Sequence, residues 1–444
     1  MRIDAGFGAR LLEGAQKRGA DLAEVYLKSA RKLSVDVRQQ EAEALESSVD
    51  FGYSLRIIKD RRLGFSYSRE TGDADAVIEN ALEASRWVKE DEYHDLAEHR
   101  EHPSLRIFDD AVASMSQDEA LSRALVIEKA ALDTDRRIRK VRKASASFSS
   151  REVLIMNSRG MEKSCSSTSC TGQITLVAEE NGDRQMGWDF SGSRFLDEVS
   201  FADVGRNAAL RALQLLGARK MGRTRAHVIL DNSVATEFLG IFASLLSSEA
   251  VQKGRSLLAK RVGQEVVSPL LNVVDDGCME RELGSRPFDD EGVPASRKYL
   301  IKDGVLQGYL YNVYTAKKDG VTSTGNAVRG GILALPTVGF LNLSLTASPA
   351  CAYAGNLSAV VDRGLYVTDA MGIHTANPVS GEFSIGVSGL WIEGGIVKHP
   401  VKEAVISGHI LDFLGRVEAA GDDFRFYGTM GAPSLLVGPT DISA

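Results

Sequence analysis

Residues 5–19 set Ala5, Leu11, Leu12 and Ala15 on a roughly helical stripe before Arg18-Gly19 interrupts it, which predicts an opening helix. From Ala23 to Ser68 the pattern changes to alternation. AEVYLKSARKLSVDVRQQ and FGYSLRIIKDRRLGFSYS place β-branched and aromatic residues between polar ones, with a turn-like IKDRRLG, and predict an antiparallel meander with one wet face. Two stretches rich in Ala, Leu and Glu follow at 73–90 and 117–135, and their apolar stripes predict helices. Strands return from 138 to 176 around an NSRG turn. A helix at 198–216 ends on Gly217, and a basic RKMGRTR leads into the strand AHVILDN.

This order predicts an α+β protein of two domains. An N-terminal antiparallel sheet with helices on one face spans 1–220, and a strand-rich C-terminal domain spans 221–444. The second opens on SVATEFLGIFASLLSSEAVQKG, read as one helix from 232 to 253. Val234, Phe238, Ile241, Phe242 and Leu245 recur at three- and four-residue steps as its buried face.

The chain has 444 residues, 43% hydrophobic and 25% charged, enough for a large core. Its 53 Lys and Arg against 60 Asp and Glu leave a net charge of −7, which argues against a globally basic nucleic-acid binder. The start lacks the apolar core of a signal peptide, and no segment approaches the roughly 18 uninterrupted apolar residues of a membrane span. A cytoplasmic protein with neither nucleic acid nor membrane as partner is expected.

The cysteines at 165, 170, 278 and 351 give neither a disulfide framework nor paired zinc spacings, and Cys165 and Cys170, five apart on a strand rich in Ser and Thr, point to opposite faces. His94, His99 and His102 cluster in DEYHDLAEHREHP, whose charge density reads as a solvated surface turn rather than a metal site. A nucleophile elbow, a phosphate loop, a dinucleotide fingerprint and H-E-x-x-H are all absent, so no metal site is expected in this chain.

Two stretches are candidates for chemistry. Polar SSEAVQKG closes the apolar helix; Glu249 and Lys253 form an i, i+4 pair in the favourable order, worth about 0.2–0.5 kcal/mol, and Gly254 can end the helix. The same residues could line a site. In NPVSGEFSIGVSGLWIEGG, Asn377, Ser380, Gly381, Glu382 and Ser384 are candidates for peptide binding, and an exposed edge there could take an extended peptide by strand addition. Alternatively the glycines only shape tight hairpins. Residue types alone leave both readings open.

The segments SSEAVQKGRSLLAKRVGQEVVSPLLNVVDDG, DDEGVPASRKYLIKDGVLQGYLYNVYTA and NPVSGEFSIGVSGLWIEGG, at 247–277, 289–316 and 377–395, resemble the PmbA branch, also called TldE, of the TldD/PmbA family. These are metallopeptidases historically called modulators of DNA gyrase, and the resemblance runs along almost the whole chain. It implies a C-terminal domain of the TldD/PmbA type with a peptide cleft and a heterodimer with a TldD-type paralogue. It also implies zinc-dependent proteolysis of unfolded or short peptides by the pair.

In the TldD branch an H-E-x-x-x-H motif and a late Cys hold the zinc. Laid on that motif, SEAVQK puts Ser248 and Lys253 at the His positions and Glu249 at the general base, and FYGTMG puts Met430 at the Cys position. An ammonium at Lys253 repels a divalent cation, and a thioether is a poor substitute for a thiolate at zinc. Residues five apart lie about 140° apart around an ideal helix, so the TldD motif requires a widened or broken helix. Relieved of ligands, this chain need not distort there. The resemblance therefore implies a non-catalytic subunit without a cofactor of its own, with zinc in the TldD-type partner, and a homodimer when the chain is alone. Two alternatives stand beside it. One is a stand-alone metal-dependent peptidase with Glu249 as base and a metal on Asp275, Asp276 and Glu265; the other is a non-catalytic homodimeric peptide-binding protein.

Overall fold

The computed structural model describes residues 3–443 except 349–352, 354, 374–375 and 378. Its first half runs α1 (Ala5–Lys17), β1 (Leu22–Arg38), β2 (Glu41–Lys59), β3 (Arg62–Ser68) and α2 (Ala74–Arg86). There follow α3 (Asp110–Ala113), α4 (Gln117–Thr134), β4 (Ile138–Asn157), β5 (Glu162–Glu180), β6 (Asp183–Ser193) and α5 (Phe201–Leu213). The six strands form one antiparallel sheet in the order β3-β2-β1-β4-β5-β6.

Strand alternation decides what each face of this sheet does. Val25, Leu27, Leu33, Val35 and Val37 of β1 turn toward the helices, meeting Leu11 and Ile78 at one end and Ala124, Ile127 and Ala208 at the other. Glu24 and Tyr26 turn the opposite way, where Tyr26, Val153 and Ile155 pack against Phe288 and Val293 of the second half. Around Tyr26 and Val153 both faces are thus covered, the second by the C-terminal half of the chain, while Glu41–Asp50 of β2 stay largely exposed. Cys170 belongs to the helix side and Cys165 to the other, as strand alternation requires.

Where α5 crosses α4 the contact is backbone to backbone. A Cβ on Gly205 would stand 2.1 Å from the Ile127 carbonyl oxygen, closer than atoms allow. In an exposed helix Gly→Ala gains about 1 kcal/mol. Here Gly205→Ala is expected to cost about 1–3 kcal/mol instead, because the helices must separate. Urea denaturation measures it, and a stabilised variant would contradict this packing.

The second half begins with β7 (Thr224–Leu230), α6 (Asn232–Ala243), α7 (Ser248–Gln252), β8 (Leu271–Asp276), β9 (Arg297–Lys302) and β10 (Val305–Leu306). It continues with α8 (Val313–Asp319), β11 (Ala327–Val328), β12 (Thr337–Val338), β13 (Leu343–Ala347), β14 (Arg363–Met371), β15 (Glu382–Glu393) and β16 (Ile396–His409). The chain closes with α9 (Ile410–Gly415), β17 (Val417–Ala420), β18 (Arg425–Tyr427), β19 (Met430–Ala432) and β20 (Leu435–Ser443). One sheet runs β10-β9-β8-β13-β19-β18; another runs β16-β15-β14-β7-β20-β17, and a β16–β20 pairing closes five of its strands into a ring. Between them lies α6, whose Val234, Phe238, Leu239 and Phe242 are buried against Val273, Ile301 and Leu343 of one sheet and Leu365, Ile385 and Ile406 of the other. The α+β class is as the sequence pattern indicates.

Two expectations are corrected. The stretch 232–253 is not one helix. α6 stops at Ala243, a 3-10 turn follows at Ser244–Leu246, Ser247 is extended, and α7 starts at Ser248. Ser247 makes a strand-like bridge to Leu310, and the Ser248 N–H donates to the Leu310 carbonyl at 3.0 Å, so backbone pairing, with no need of metal ligands, breaks the helix. The apolar repeat ran on because Leu245 and Leu246 remain buried through the turn. The edge beside β15 is likewise not free along its hairpin. β16 pairs with β15 along one side, and on the other it pairs with β20 at Val405–Ile406 and bonds the Arg219 backbone through Pro400 and Lys402.

Candidate functional site

The family-motif segment and the first sheet meet at a cavity of about 330 Å³. α7 and its C-cap contribute Glu249, Gln252 and Lys253; β2 contributes Arg56 and Ile58; α8 and its N-cap contribute Asn312, Tyr314 and Thr315. The cap explains the placement of α8. The Asn312 side chain accepts from the Thr315 N–H at 2.9 Å, while the Asn312 N–H donates back to Thr315 Oγ1 at 3.2 Å. Gly320, at φ +67°, terminates the helix in the left-handed region.

Behind the cavity stands a buried ion network. Glu24 and Arg56 face each other across the β1–β2 ladder, and Arg56 donates to Glu24 Oε2 at 2.8 Å and to Glu291 Oε1 at 2.9 Å. Glu291 Oε2 accepts from the Val313 N–H at 2.8 Å, and Arg329 donates to Glu24 while stacking 4.8 Å over Tyr26. Burial works against the Arg56 charge, and the pull of Glu24 and Glu291 outweighs it, so its pKa is raised. Asp289 is held above the ordinary carboxylate value, chiefly by burial and then by Glu291. This network ties the sheet to the segment that carries the cavity.

The motif positions are arranged as follows. Lys253 Nζ donates to Glu249 Oε1 at 2.5 Å. Ser248 is fully buried and donates to Thr315 Oγ1 at 2.8 Å, while Gln252 donates to the Thr315 carbonyl at 2.9 Å. Met430 lies outside the cavity lining, in β19, where its Sδ is 3.8 Å from the position a Cβ would take on Gly240 of α6. Glu249 and Lys253 are brought together; Ser248 and Met430 are not brought to them as a ligand set. An ammonium engaged with a carboxylate, a hydroxyl committed to another hydroxyl and a thioether outside the cavity lining do not fit zinc.

The carboxylates Asp275, Asp276 and Glu265 do not converge. Asp275 and Asp276 are adjacent on β8 and alternate in direction, and Asp275 is wholly occupied: Lys298 at 3.1 Å, Asn326 Nδ2 at 2.7 Å and the Leu341 N–H at 2.7 Å. Glu265 lies outside β8, where its backbone forms an isolated bridge with Val305. Among the described residues no group of three or more His, Cys, Asp and Glu is placed to hold a metal ion.

Ahead of β15, Asn377 and Ser380 are engaged by neighbouring backbone groups. Asn377 Oδ1 accepts from Val379 N at 2.8 Å and Ser380 N at 3.2 Å, the Asn377 N–H donates to the Glu382 carbonyl, and the Gly381 N–H donates to the Asn377 carbonyl. Gly381 abuts Leu257 and His409, and Ser384 faces outward from β15. None of these residues lines the Glu249 cavity.

The segment around His94 is an irregular loop, but not the solvated turn its composition suggests. Leu96 and Ala97 are buried, Asp95 pairs with Arg159 and Lys317, and the His94 ring lies 5.2 Å from that of Tyr314 at the cavity. Burial pushes the His94 pKa down, against the pull of Asp91. Arg56, His94, Glu291, Tyr314 and Thr315 escaped sequence reasoning as site residues. The visible signal was three consecutive acids and a glycine, DDEG, set directly between Pro287-Phe288 and Val293-Pro294.

One acid on α6 is set apart by its surroundings. Burial, with Asp369 adding to it, pushes Glu237 up to about 7 from 4.5. Between those values the folded chain keeps a proton that the unfolded chain has released, so this group's contribution to stability falls as pH rises through the window. Glu237→Gln is expected to match the parent near pH 5 and exceed it by about 1–3 kcal/mol at pH 8. Urea denaturation at both pH values reads this, and an equal difference at both would contradict it.

Comparison with known proteins agrees with this architecture. Models described as PmbA/TldA metallopeptidase domain 1, central domain and C-terminal domain match residues 23–85, 110–216 and 223–444. A metalloprotease PmbA homolog of Haemophilus influenzae is 31% identical across 97% of this chain and 94% of its own. Metalloprotease PmbA of Escherichia coli O157:H7 is 28% identical across 94% of this chain and 91% of its own. A solved modulator-of-DNA-gyrase protein of Thermotoga maritima superposes with a TM-score of 0.90 at 25% identity over 99% of both chains. TldE of Thermococcus kodakarensis shares the fold, with a TM-score of 0.87 at 21% identity over 99% of this chain and 100% of its own. The models that match are described as metallopeptidase domains, and the relatives are named metalloproteases. The chain belongs to the PmbA/TldE branch of the TldD/PmbA family.

Proposed function

We propose that this chain is a non-catalytic subunit of a TldD/PmbA-type zinc peptidase acting on unfolded or short peptides. It pairs with a TldD-type paralogue that brings the zinc, and pairs with itself when alone. The observation that carries this reading is the Lys253–Glu249 ion pair at the mouth of the motif cavity, with Ser248 turned inward to Thr315. Glu249 matches a general base, yet its carboxylate is engaged by an ammonium where a dication would be needed. No described helix is long and apolar enough to cross a membrane, which fits a cytoplasmic assembly. The net charge of −7 favours reading the gyrase association as genetic rather than as direct DNA binding.

The test is cleavage of an unfolded peptide by the chain alone, by a TldD-type partner alone and by the mixture. Cleavage only in the mixture, unchanged by Glu249→Ala in this chain, is the expected result. Cleavage by the isolated chain that Glu249→Ala abolishes would favour the stand-alone peptidase. Peptide binding without cleavage in any combination would favour the homodimeric binding protein.

A further inference from the structure

The outer side of β2 is unclaimed along more than half of the strand. β2 is 19 residues long, and β3 covers only its Tyr53–Lys59 portion. From Glu41 to Phe51 the strand pairs with β1 on its inner side, and no described residue bonds its outward backbone groups. All of these residues except Ala44 and Phe51 are exposed. A free row of N–H and C=O groups recruits another strand, so edges left without a partner are ordinarily short, bulged or covered. This one is long and uncovered, and it carries apolar side chains.

Alternation gives the edge two chemically different faces. Leu45 and Val49 stand on the helix side of the sheet, opposite Val35 and Arg31 of β1, and are 43% and 64% exposed. Glu46 and Asp50 stand on the other side, opposite Ser34 and Ala30. The stretch 41–51 holds no base; Glu43 pairs with Arg38, while Glu41, Glu46 and Asp50 form no ion pair among the described residues. Lys28 and Lys32 share the Glu46 face but belong to β1. A strand added outside β2 would meet Glu46 and Asp50 at about 5 Å and those lysines at about 10 Å, beyond the screening length of physiological salt. Like charges set opposite each other destabilise a strand pair, so the acids oppose edge-to-edge pairing of two copies and favour a basic strand.

We propose that Glu41–Phe51 of β2 binds an extended polypeptide segment in which Lys or Arg alternates with apolar residues. The segment pairs its backbone with the outer side of β2, sets its bases beside Glu46 and Asp50 and lays its apolar side chains against Leu45 and Val49. None of these residues lines the Glu249 cavity, so failure of this proposal leaves the reading of that cavity untouched.

Hydrogen exchange of the full-length chain, titrated with acetyl-Lys-Val-Lys-Val-Lys-Val-Lys-amide, tests it. Saturable binding that slows exchange in the fragment holding 41–51 is expected. A counterpart with Glu for every Lys, and another with Pro for the central Val, should each bind at least about tenfold more weakly. Glu46→Lys combined with Asp50→Lys, both exposed in the parent, should weaken the lysine peptide about tenfold and strengthen the glutamate peptide. Slowed exchange at 41–51 that grows with chain concentration and needs no peptide would assign the edge to a second copy and overturn the proposal. So would the absence of saturable binding, equal affinity for the lysine and glutamate peptides, or protection confined to other segments.

Discussion

Arg56→Met is expected to destabilise the folded chain by about 3–5 kcal/mol, the cost of removing one member of a buried charge cluster. Arg56 is 6% exposed, and Glu24 and Glu291 on either side of it are 1% and 0% exposed. Without Arg56, Glu24 keeps Arg329, but Glu291 keeps only the Val313 N–H. The loss falls on the seam between the first sheet and the cavity segment. A urea titration should show the lower midpoint, and adding Glu291→Gln should return part of it by removing the unpaired charge. A single variant within 1 kcal/mol of the parent would mean that the network contributes little across the seam.

Asp275→Ala is expected to cost about as much, roughly 3–5 kcal/mol, for a different reason. This carboxylate holds three groups at once: the Lys298 ammonium, the Asn326 amide and the Leu341 N–H. Removing it leaves a cation with a side chain only 14% exposed and two buried donors unsatisfied. Lys298→Met on top of Asp275→Ala should recover about half, because the orphaned charge goes with it. No recovery would locate the cost in the Leu341 and Asn326 bonds. If Asp275→Ala left stability unchanged, the sealed arrangement that excludes this residue from metal binding would be wrong.

Much of this architecture was legible because period-2 alternation is local. Val25, Leu27, Val35 and Val37 declare one face of β1 without reference to anything distant, and the helix stripes at 74–86 and 117–134 declare themselves in the same way. What stayed hidden depends on long-range pairing. Glu24 reads as one more polar residue on a wet face, and only the second half of the chain turns that face into an interior with Arg56, Glu291 and Arg329. The helix break was hidden for a related reason: the 3-10 turn keeps Leu245 and Leu246 in the core, so hydrophobicity runs through it, while Leu310, which pairs with Ser247, lies more than sixty residues away in sequence. The β16 edge appeared available because its cover, β20, is the last strand of the chain.

At the candidate site the Glu249–Lys253 pair could be read from an i, i+4 spacing, since helix geometry alone brings the two together. The inward turn of Ser248 could not, because it depends on Thr315 in a helix placed by the Asn312 cap.

The most direct measurement is the zinc content of the purified, unaided chain, by elemental analysis after equilibration with submicromolar free zinc. Far less than one zinc per chain is the expected result, unchanged when Glu249 or Lys253 is replaced by alanine. One zinc per chain, lost on replacing Ser248 or Glu249, would contradict the account and show that this subunit assembles a metal centre of its own.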